Sequence, residues 1–158
     1  MEEIIQLNSG AKLSPHFTLG EMTKSNSHPE VYNIPSHEAI ANLKRLCGWL
    51  EVLRERYNQK YGVGNEPVRI NSGYRSPQLN RAIHGNANSN HMTGCACDIR
   101  VSGMEQALRY AVILLDYADE SKQEFDELLI EKNRYGAIWV HFAVRPKDNR
   151  RKITFINA

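Results

Sequence analysis

A 24-residue stretch with apolar side chains at helical spacing constrains the fold of this chain more than any other feature of its sequence. Ser36 precedes the stretch and offers an N-cap, so the pattern predicts one amphipathic helix over residues 37–60. A helix of this length with one apolar face must bury that face against another helix or a sheet. The apolar positions recur three and four residues apart: Ile40, Leu43, Leu46, Cys47, Leu50, Leu53 and Tyr57.

A second helical pattern and several short β patterns supply the partners for this helix. Ser102 and Glu105 fit a capping box that would open the second helix, which continues to Ala118 with apolar positions at helical spacing. Short helices are predicted near 19–24 and at 77–84. Long helices followed by hairpins predict an α+β fold with a small antiparallel sheet and flanking helices. The strand candidates lie at 68–71, 96–101, 126–132, 137–145 and 153–156, with a hairpin loop at 132–136.

The composition is that of one globular domain. The 158 residues, with 41% hydrophobic and 24% charged side chains, suffice for a core without disulfides. Twenty basic against eighteen acidic residues leave a net charge of +2, which gives no reason to expect nucleic-acid binding. No apolar run is long enough to span a membrane. We expect a monomeric single domain over residues 1–158, with an irregular lead-in at 1–35 and a basic tail at 147–158.

The beginning of the chain and its cysteines predict a cytoplasmic site of synthesis. The first six residues, Met-Glu-Glu-Ile-Ile-Gln, contain neither the basic region nor the apolar region of a secretory signal. Three cysteines (Cys47, Cys95 and Cys97) are too few for a disulfide framework. We therefore expect the chain to be made in a reducing compartment.

His91, Asp98 and His141 have the residue types of a catalytic zinc site. Such a site takes three ligands from histidine and carboxylate side chains and leaves a fourth position open. His91 ends a loop and Asp98 lies on the strand that follows, while Gly94 between them lets the chain turn back. His141 completes the set if its strand pairs close by. Two histidines and one aspartate also suit iron or manganese.

Other interpretations of these residues stay open at this point. A histidine and an aspartate seven positions apart also occur as a loop hydrogen bond beside a surface charge, and His141 between two apolar residues also fits a buried sheet histidine. Cys95 and Cys97 offer thiolate ligands for a structural zinc. Against this, Cys97 and Asp98 point to opposite faces of one strand, and no second cysteine pair completes four sulfurs.

Four segments of the chain resemble one known family. They are Phe-Thr-Leu-Gly-Glu-Met at 17–22, Ser-Gly-Tyr-Arg-Ser at 72–76, Ser-x-His-x-x-Gly-x-Ala-x-Asp at 89–98 and Trp-Val-His at 139–141. Together they resemble the zinc D-alanyl-D-alanine carboxypeptidases, a family that includes phage and bacterial peptidoglycan endopeptidases and shares its fold with hedgehog signalling domains. The resemblance extends over about residues 15–146. It implies a zinc peptidase that cuts a peptide bond in peptidoglycan stem peptides.

The resemblance also assigns roles to particular residues. It implies one zinc ion held by His91, Asp98 and His141. Arg75 matches the family arginine that steadies the substrate carbonyl or terminal carboxylate. A guanidinium at this place also suits the chemistry, because attack by activated water on a peptide carbonyl creates an oxyanion beside the metal.

The general base is where this sequence departs from the family pattern. Some relatives place a carboxylate three residues before the last histidine ligand, but this chain has Ile138 there. We therefore look to the preceding strand, where Glu131 lies directly before the hairpin and is expected to be nearest His141. Asp126 and Glu127 remain alternatives.

Two further residues are candidates for the cleft, and three functions compete. Ser89 could orient the loop that carries His91, and Trp139 shares a strand face with His141 and could form a wall.

The first function is a phage-type lysin that leaves the cytoplasm through a holin pore and cuts wall peptides. The second is a cytoplasmic D-Ala-D-Ala dipeptidase, and the third is a metal-containing binding module without turnover, which the residue at position 138 favours.

Overall fold

Two long helices pack on one face of a five-stranded sheet in the computed structural model, which describes residues 9–62 and 64–157. A two-stranded hairpin and two short helices surround this unit. In chain order the elements are β1 (Lys12–Ser14), β2 (Phe17–Thr18), α1 (Leu19–Thr23), α2 (His37–Tyr61), β3 (Ile70–Ser72), α3 (Pro77–Ala82), a 3₁₀ turn (Asn90–Thr93), β4 (Ala96–Arg100), α4 (Met104–Ser121), β5 (Glu127–Lys132), β6 (Ile138–Ala143) and β7 (Lys152–Asn157).

The sheet has the strand order β3-β4-β6-β5-β7 and is antiparallel except at one edge. Strands β5 and β6 form a hairpin, and β4 pairs with the other side of β6. The last strand, β7, lies parallel to β5 because the chain crosses back over residues 144–151 before it joins the sheet. The predicted α+β class is confirmed, and the predicted edge strand at 153–156 is present.

Helix α2 follows the predicted bounds within one residue, whereas the start of α4 differs from the prediction. The Ser36 hydroxyl accepts a hydrogen bond from the backbone of Ala39, as expected of an N-cap. The predicted capping box of Ser102 and Glu105 is wrong. The N-cap of α4 is Gly103, which has no side chain to contribute, and the backbone N–H of Ser102 donates to the Gln106 carboxamide instead.

The lead-in segment contains more regular structure than the sequence indicated. Its first eight residues lie outside the described part of the chain, but β1, β2 and α1 follow them. The β1–β2 hairpin is tied to α2, because Glu51 accepts hydrogen bonds from the Ser14 hydroxyl and the His16 backbone. Strands of three and two residues are too short for an alternating pattern to show them.

The central strands separate an apolar face from a polar face. Cys97, Ile99, Val140 and Phe142 are fully buried beneath the two long helices, where Phe142 packs against Trp49 with ring centroids 5.3 Å apart. The residues between them, Asp98 and His141, point to the opposite face, as side chains alternate along a strand. The cysteine ligand set is therefore excluded for Cys97. No helix in the described ranges is long and apolar enough to cross a bilayer.

Candidate metal centre

Three potential metal ligands meet on the polar face of the sheet. Asp98 on β4 lies directly opposite His141 on β6, and the 3₁₀ turn brings His91 above them. Oδ1 of Asp98 lies 3.0 Å from Nδ1 of His141 and 3.3 Å from Nε2 of His91. One ligand atom from each residue falls within 4.8 Å of the others. The register of two strands and one turn thus assembles the three residues that the sequence singled out.

The turn that carries His91 is fixed at both ends. At its start the Ser89 hydroxyl accepts a hydrogen bond of 3.1 Å from the His91 backbone N–H. At its end Gly94 adopts φ +76°, and a Cβ there would come within 2.4 Å of the Ala39 carbonyl oxygen on α2. A residue other than glycine would be strained and would also collide with the helix. Ser89 therefore caps the turn that carries His91.

The His91 ring presents an unpaired nitrogen to the centre of the site. Its Nδ1 lies 2.7 Å from the Gly73 carbonyl oxygen, which can only accept a hydrogen bond, so Nδ1 carries the proton. Its Nε2 is buried without a hydrogen-bond partner and faces the carboxylate of Asp98. A buried ring nitrogen without a hydrogen-bond partner beside a carboxylate is unfavourable unless a proton or a metal cation lies between them. This nitrogen is thus placed as a metal ligand would be.

His141 lies between two carboxylates. Its Nδ1 faces Asp98, and its Nε2 lies 2.9 Å from Oε1 of Glu127. Burial alone would lower the pKa of His141, but the hydrogen bonds to both carboxylates outweigh it and raise this pKa to about 10. Both ring nitrogens of His141 therefore carry a proton when no metal is bound. Positive charge is favoured at this position.

The donor set fits zinc. Two imidazole nitrogens and one carboxylate oxygen are the ligands of open catalytic zinc sites. Each histidine also has the outer partner that metal-bound histidines usually have, a backbone carbonyl at Gly73 for His91 and a carboxylate at Glu127 for His141. The fit rests on the unpaired Nε2 of His91 and on these partners.

Arg75 lies at the side of this group. Its backbone N–H donates to the His91 carbonyl over 3.0 Å, and its Nη2 lies 3.8 Å from Oδ2 of Asp98. Burial lowers the pKa of Arg75, while the charges of Asp98 and Glu131 raise it. The guanidinium stays charged over the physiological range because the pKa of arginine is normally above 12. The Arg75 Nε is buried without a hydrogen-bond partner.

The expectation that Glu131 lies nearest His141 is wrong. Leu129 is directly opposite His141 in the β5–β6 register, so Glu127 and Glu131 lie two residues to either side. The imidazole turns toward Glu127, whereas the Glu131 carboxylate accepts a 2.6 Å hydrogen bond from the Trp139 indole. Glu131 nevertheless lines the same cleft as the three candidate ligands.

The other candidates take different places. Asp126 is fully buried and pairs with Arg150, which lines the cleft. Trp139 lies half-buried next to Glu131, which it holds by hydrogen bonding.

The cleft itself measures about 460 Å³, a size typical of small-ligand sites. Ser89 is among its lining residues, together with the three candidate ligands and both glutamates of β5.

Asn90 makes side-chain contacts that the sequence did not reveal. Its Nδ2 donates to Asp126 over 2.7 Å and to Glu127 over 2.8 Å, and its Oδ1 accepts from Nε of Arg145 over 2.9 Å. Asn90 thereby joins the turn that carries His91 to the start of β5. No motif indicates this role, because loop asparagines most often serve turn geometry.

Comparison with known proteins agrees with the motifs and the geometry. The family model for peptidase M15 matches residues 15–127, which include Arg75, His91 and Asp98. The chain is also 29% identical over 97 residues to a zinc D-Ala-D-Ala carboxypeptidase from Streptomyces albus G. That alignment covers 61% of this chain and 36% of the relative, so it spans about a third of the relative's length. Because the family model matches most of its length, this chain belongs to the peptidase M15 family.

Proposed function

We propose that this protein is a zinc-dependent peptidase that hydrolyses a peptide bond in bacterial peptidoglycan stem peptides. The observation that carries the proposal is the buried, unpaired Nε2 of His91 facing Asp98 and His141 in a cleft beside Arg75. Membership of the peptidase M15 family supports peptide hydrolysis. The zinc carboxypeptidase relative supports the metal and the type of peptide.

In this proposal one zinc ion per chain is held by Nε2 of His91, the carboxylate of Asp98 and Nδ1 of His141. Zinc in a site with an open position supplies Lewis acidity, which activates a water molecule and polarises a carbonyl. Gly73 and Glu127 fix the two imidazole rings by accepting hydrogen bonds at their outer nitrogens. The sheet and the turn therefore set the ligand geometry before metal is bound.

Glu131 serves as the proton acceptor in this scheme. A carboxylate must take a proton from the attacking water and deliver it to the leaving amine. Oε1 of Glu127 already accepts hydrogen bonds from His141 and from Asn90, so Glu127 is occupied in holding the ligand His141. Glu131 lines the cleft and is aimed by the Trp139 indole, which donates to its Oε2.

Arg75 stabilises negative charge on the substrate. Its guanidinium lies beside Asp98, and Glu131 is close enough to influence its pKa. A fixed cation at this place lowers the energy of the oxyanion that forms when water adds to the peptide carbonyl. The same cation holds a terminal carboxylate if the enzyme removes a single residue.

Mass spectrometry of fragments released from purified peptidoglycan tests the proposal. Zinc-loaded protein should release either terminal D-Ala, as a carboxypeptidase, or stem peptides, as an endopeptidase. Glu131→Gln should lower turnover about 100-fold or more while zinc content stays unchanged, because general-base catalysis contributes factors of this size. His141→Ala should lose both zinc and activity.

The matched control is Glu124→Gln, which makes the same chemical change at an exposed position outside the cleft. It should retain full activity. If the zinc-loaded protein releases no fragment from walls of several chemotypes, the proposed function is wrong. If Glu131→Gln keeps wild-type turnover, the assignment of the proton acceptor is wrong.

A further inference from the structure

We infer that the cleft contains a separate carboxylate-binding site, built from Arg145, Arg150 and Lys152, that selects anionic stem peptides; this inference rests on the proposed function. These three side chains, called the basic rim below, line the same cleft as the candidate ligands. They come from the crossover after β6 and the first residue of β7, whereas Arg75 comes from the segment before α3. The basic rim and Arg75 are therefore structurally independent.

A fully buried carboxylate holds two members of the basic rim in place. Asp126 accepts two side-chain hydrogen bonds from Arg150, from Nε over 3.0 Å and from Nη2 over 2.8 Å. Asp126 also pairs with Arg145, whose Nε lies 3.2 Å from Oδ2. The Arg145 Nε also donates to Asn90. Because these contacts hold both guanidinium groups in place, little conformational entropy is lost when they bind an anion.

Lys152 extends the basic rim along the edge of the cleft, on the edge strand β7. It pairs in register with Glu127, and Ile156 pairs with Glu131 four residues further along β7. The side of the cleft that contains Glu127 is therefore basic at β7, whereas the side that contains Glu131 is apolar there. A peptide lying across the site meets a cationic and an apolar end, which gives it a preferred direction.

The charges of the cleft are unevenly distributed between its two parts. Next to the candidate ligands lie three carboxylates and one arginine: Asp98, Glu127, Glu131 and Arg75. The basic rim has three cations against two carboxylates, the buried Asp126 and Glu127, whose Oε2 lies 3.5 Å from Nη2 of Arg150. Two cations would suffice to neutralise these carboxylates. One positive charge in excess at the edge of a cleft favours an anionic ligand.

Carboxylate is the anion that the proposed substrate offers. A stem peptide presents it at two places, at its C-terminus and at the free carboxyl group of its γ-linked glutamate. Guanidinium and ammonium groups both form charge-assisted hydrogen bonds with carboxylates. The basic rim thus selects peptides in which one of these groups is free rather than amidated.

Peptide binding, measured by calorimetry, tests the inference separately from turnover. The titrations use zinc-loaded protein in which Glu131→Gln slows hydrolysis, and three stem pentapeptides: one with both carboxylates free, one amidated at the C-terminus and one amidated at the glutamate. Lys152→Glu should weaken binding of the free peptide about tenfold, as expected for reversing one charge in a partly exposed ion pair. The weakening should disappear for the peptide that lacks the bound carboxylate, which identifies its source.

The control is Lys132→Glu, an equal charge change at an exposed residue on the opposite face of the sheet. It should leave all three affinities unchanged. Equal losses for all three peptides, or equal effects of the two variants, would overturn the inference. So would Lys152-dependent binding of polyglycerol phosphate without discrimination among the peptides. Carboxylate-dependent binding without any release of wall fragments would retain the carboxylate site and contradict only the proposed function.

Discussion

The two glutamates of β5 show how one register decides the role of a residue. Glu127 and Glu131 lie symmetrically about the position opposite His141, and both face the cleft. The orientation of the imidazole breaks the symmetry, because its Nε2 is directed at Glu127 while its Nδ1 faces Asp98. Glu127 is thereby committed to a candidate ligand, whereas Glu131 is the residue to which the proposed function assigns proton transfer.

Glu127→Gln should lower the affinity for zinc by about tenfold, a typical cost of losing an outer partner of a metal ligand. Glutamine still accepts a hydrogen bond from His141, but it lacks the negative charge that makes the imidazole a better donor to the metal. Competition with a chromogenic chelator measures the change. Glu131→Gln serves as the comparison and should keep wild-type affinity. Unchanged affinity in Glu127→Gln would show that Glu127 does not support the ligand.

The candidate ligands could be predicted from the sequence, but their supporting residues could not. His91, Asp98, His141 and Arg75 lie in motifs that resemble a family, and they meet in the structure. The contact between Glu127 and His141 depends on a hairpin register and a ring orientation, which no motif encodes. Asn90 likewise acquires its partners only after the turn, β5 and the crossover have come together.

The crossover between β6 and β7 depends on Asp126. In addition to the hydrogen bonds from the Arg150 side chain, Oδ1 of Asp126 accepts a hydrogen bond from the Arg150 backbone N–H over 3.0 Å. The backbone carbonyl of Asp126 accepts one from the Lys152 backbone N–H over 2.9 Å. Burial alone would raise the pKa of Asp126, but the hydrogen bonds from Arg150 and Asn90 and the charge of Arg145 lower it to about 2. This one side chain therefore fixes the element that carries the basic rim.

Acid should weaken the fold through this residue. The pKa of Asp126 is lower in the folded state than in the unfolded chain, so its contribution is present above about pH 4 and is lost as the pH falls toward 2. The loss should reach at most about 2 kcal/mol in the free energy of unfolding. Urea denaturation between pH 5 and pH 2.5 measures it. Asp126→Asn should reduce the pH dependence in this range without abolishing it, because the pKa of Glu127 is also lowered to about 2. Asp116→Asn, at an exposed helix position, should leave the pH dependence unchanged. A wild-type slope in Asp126→Asn would contradict the assignment.

The elements that the sequence predicted best are those whose stability depends on one periodic face. Helix α2 buries ten side chains along its length, and its pattern gave its bounds within a residue. The start of α4 was harder, because Ser102 and Gly103 both precede the apolar stripe and only the backbone path selects between them. The parallel direction of β7 follows from the crossover, since a six-residue strand pattern has no inherent direction.

At the scale of the whole molecule, zinc should stabilise the fold. Its three candidate ligands come from a turn, a central strand and a strand near the C-terminus, so binding links parts of the chain that separate on unfolding. At a zinc concentration 100 times the dissociation constant, the gain is about 2.7 kcal/mol. For a domain of this size that is on the order of 5–10 °C in Tm.

Differential scanning fluorimetry with and without zinc measures this shift, and magnesium is the comparison ion because it prefers all-oxygen sites. His141→Ala should lose the zinc response. His37→Ala, which changes an exposed histidine at the start of α2, should keep it. A zinc response that survives His141→Ala would place the stabilising ion elsewhere in the molecule.

The alternation along β4, β5 and β6 has a consequence for how this protein can evolve. Leu128, Val140 and Phe142 pack toward the helices, whereas Glu127, Leu129 and His141, which alternate with them, line the cleft. A single-nucleotide change at a cleft position can therefore alter substrate preference without disturbing the apolar interior. New specificities can arise by small steps on one face while the other face keeps the chain folded.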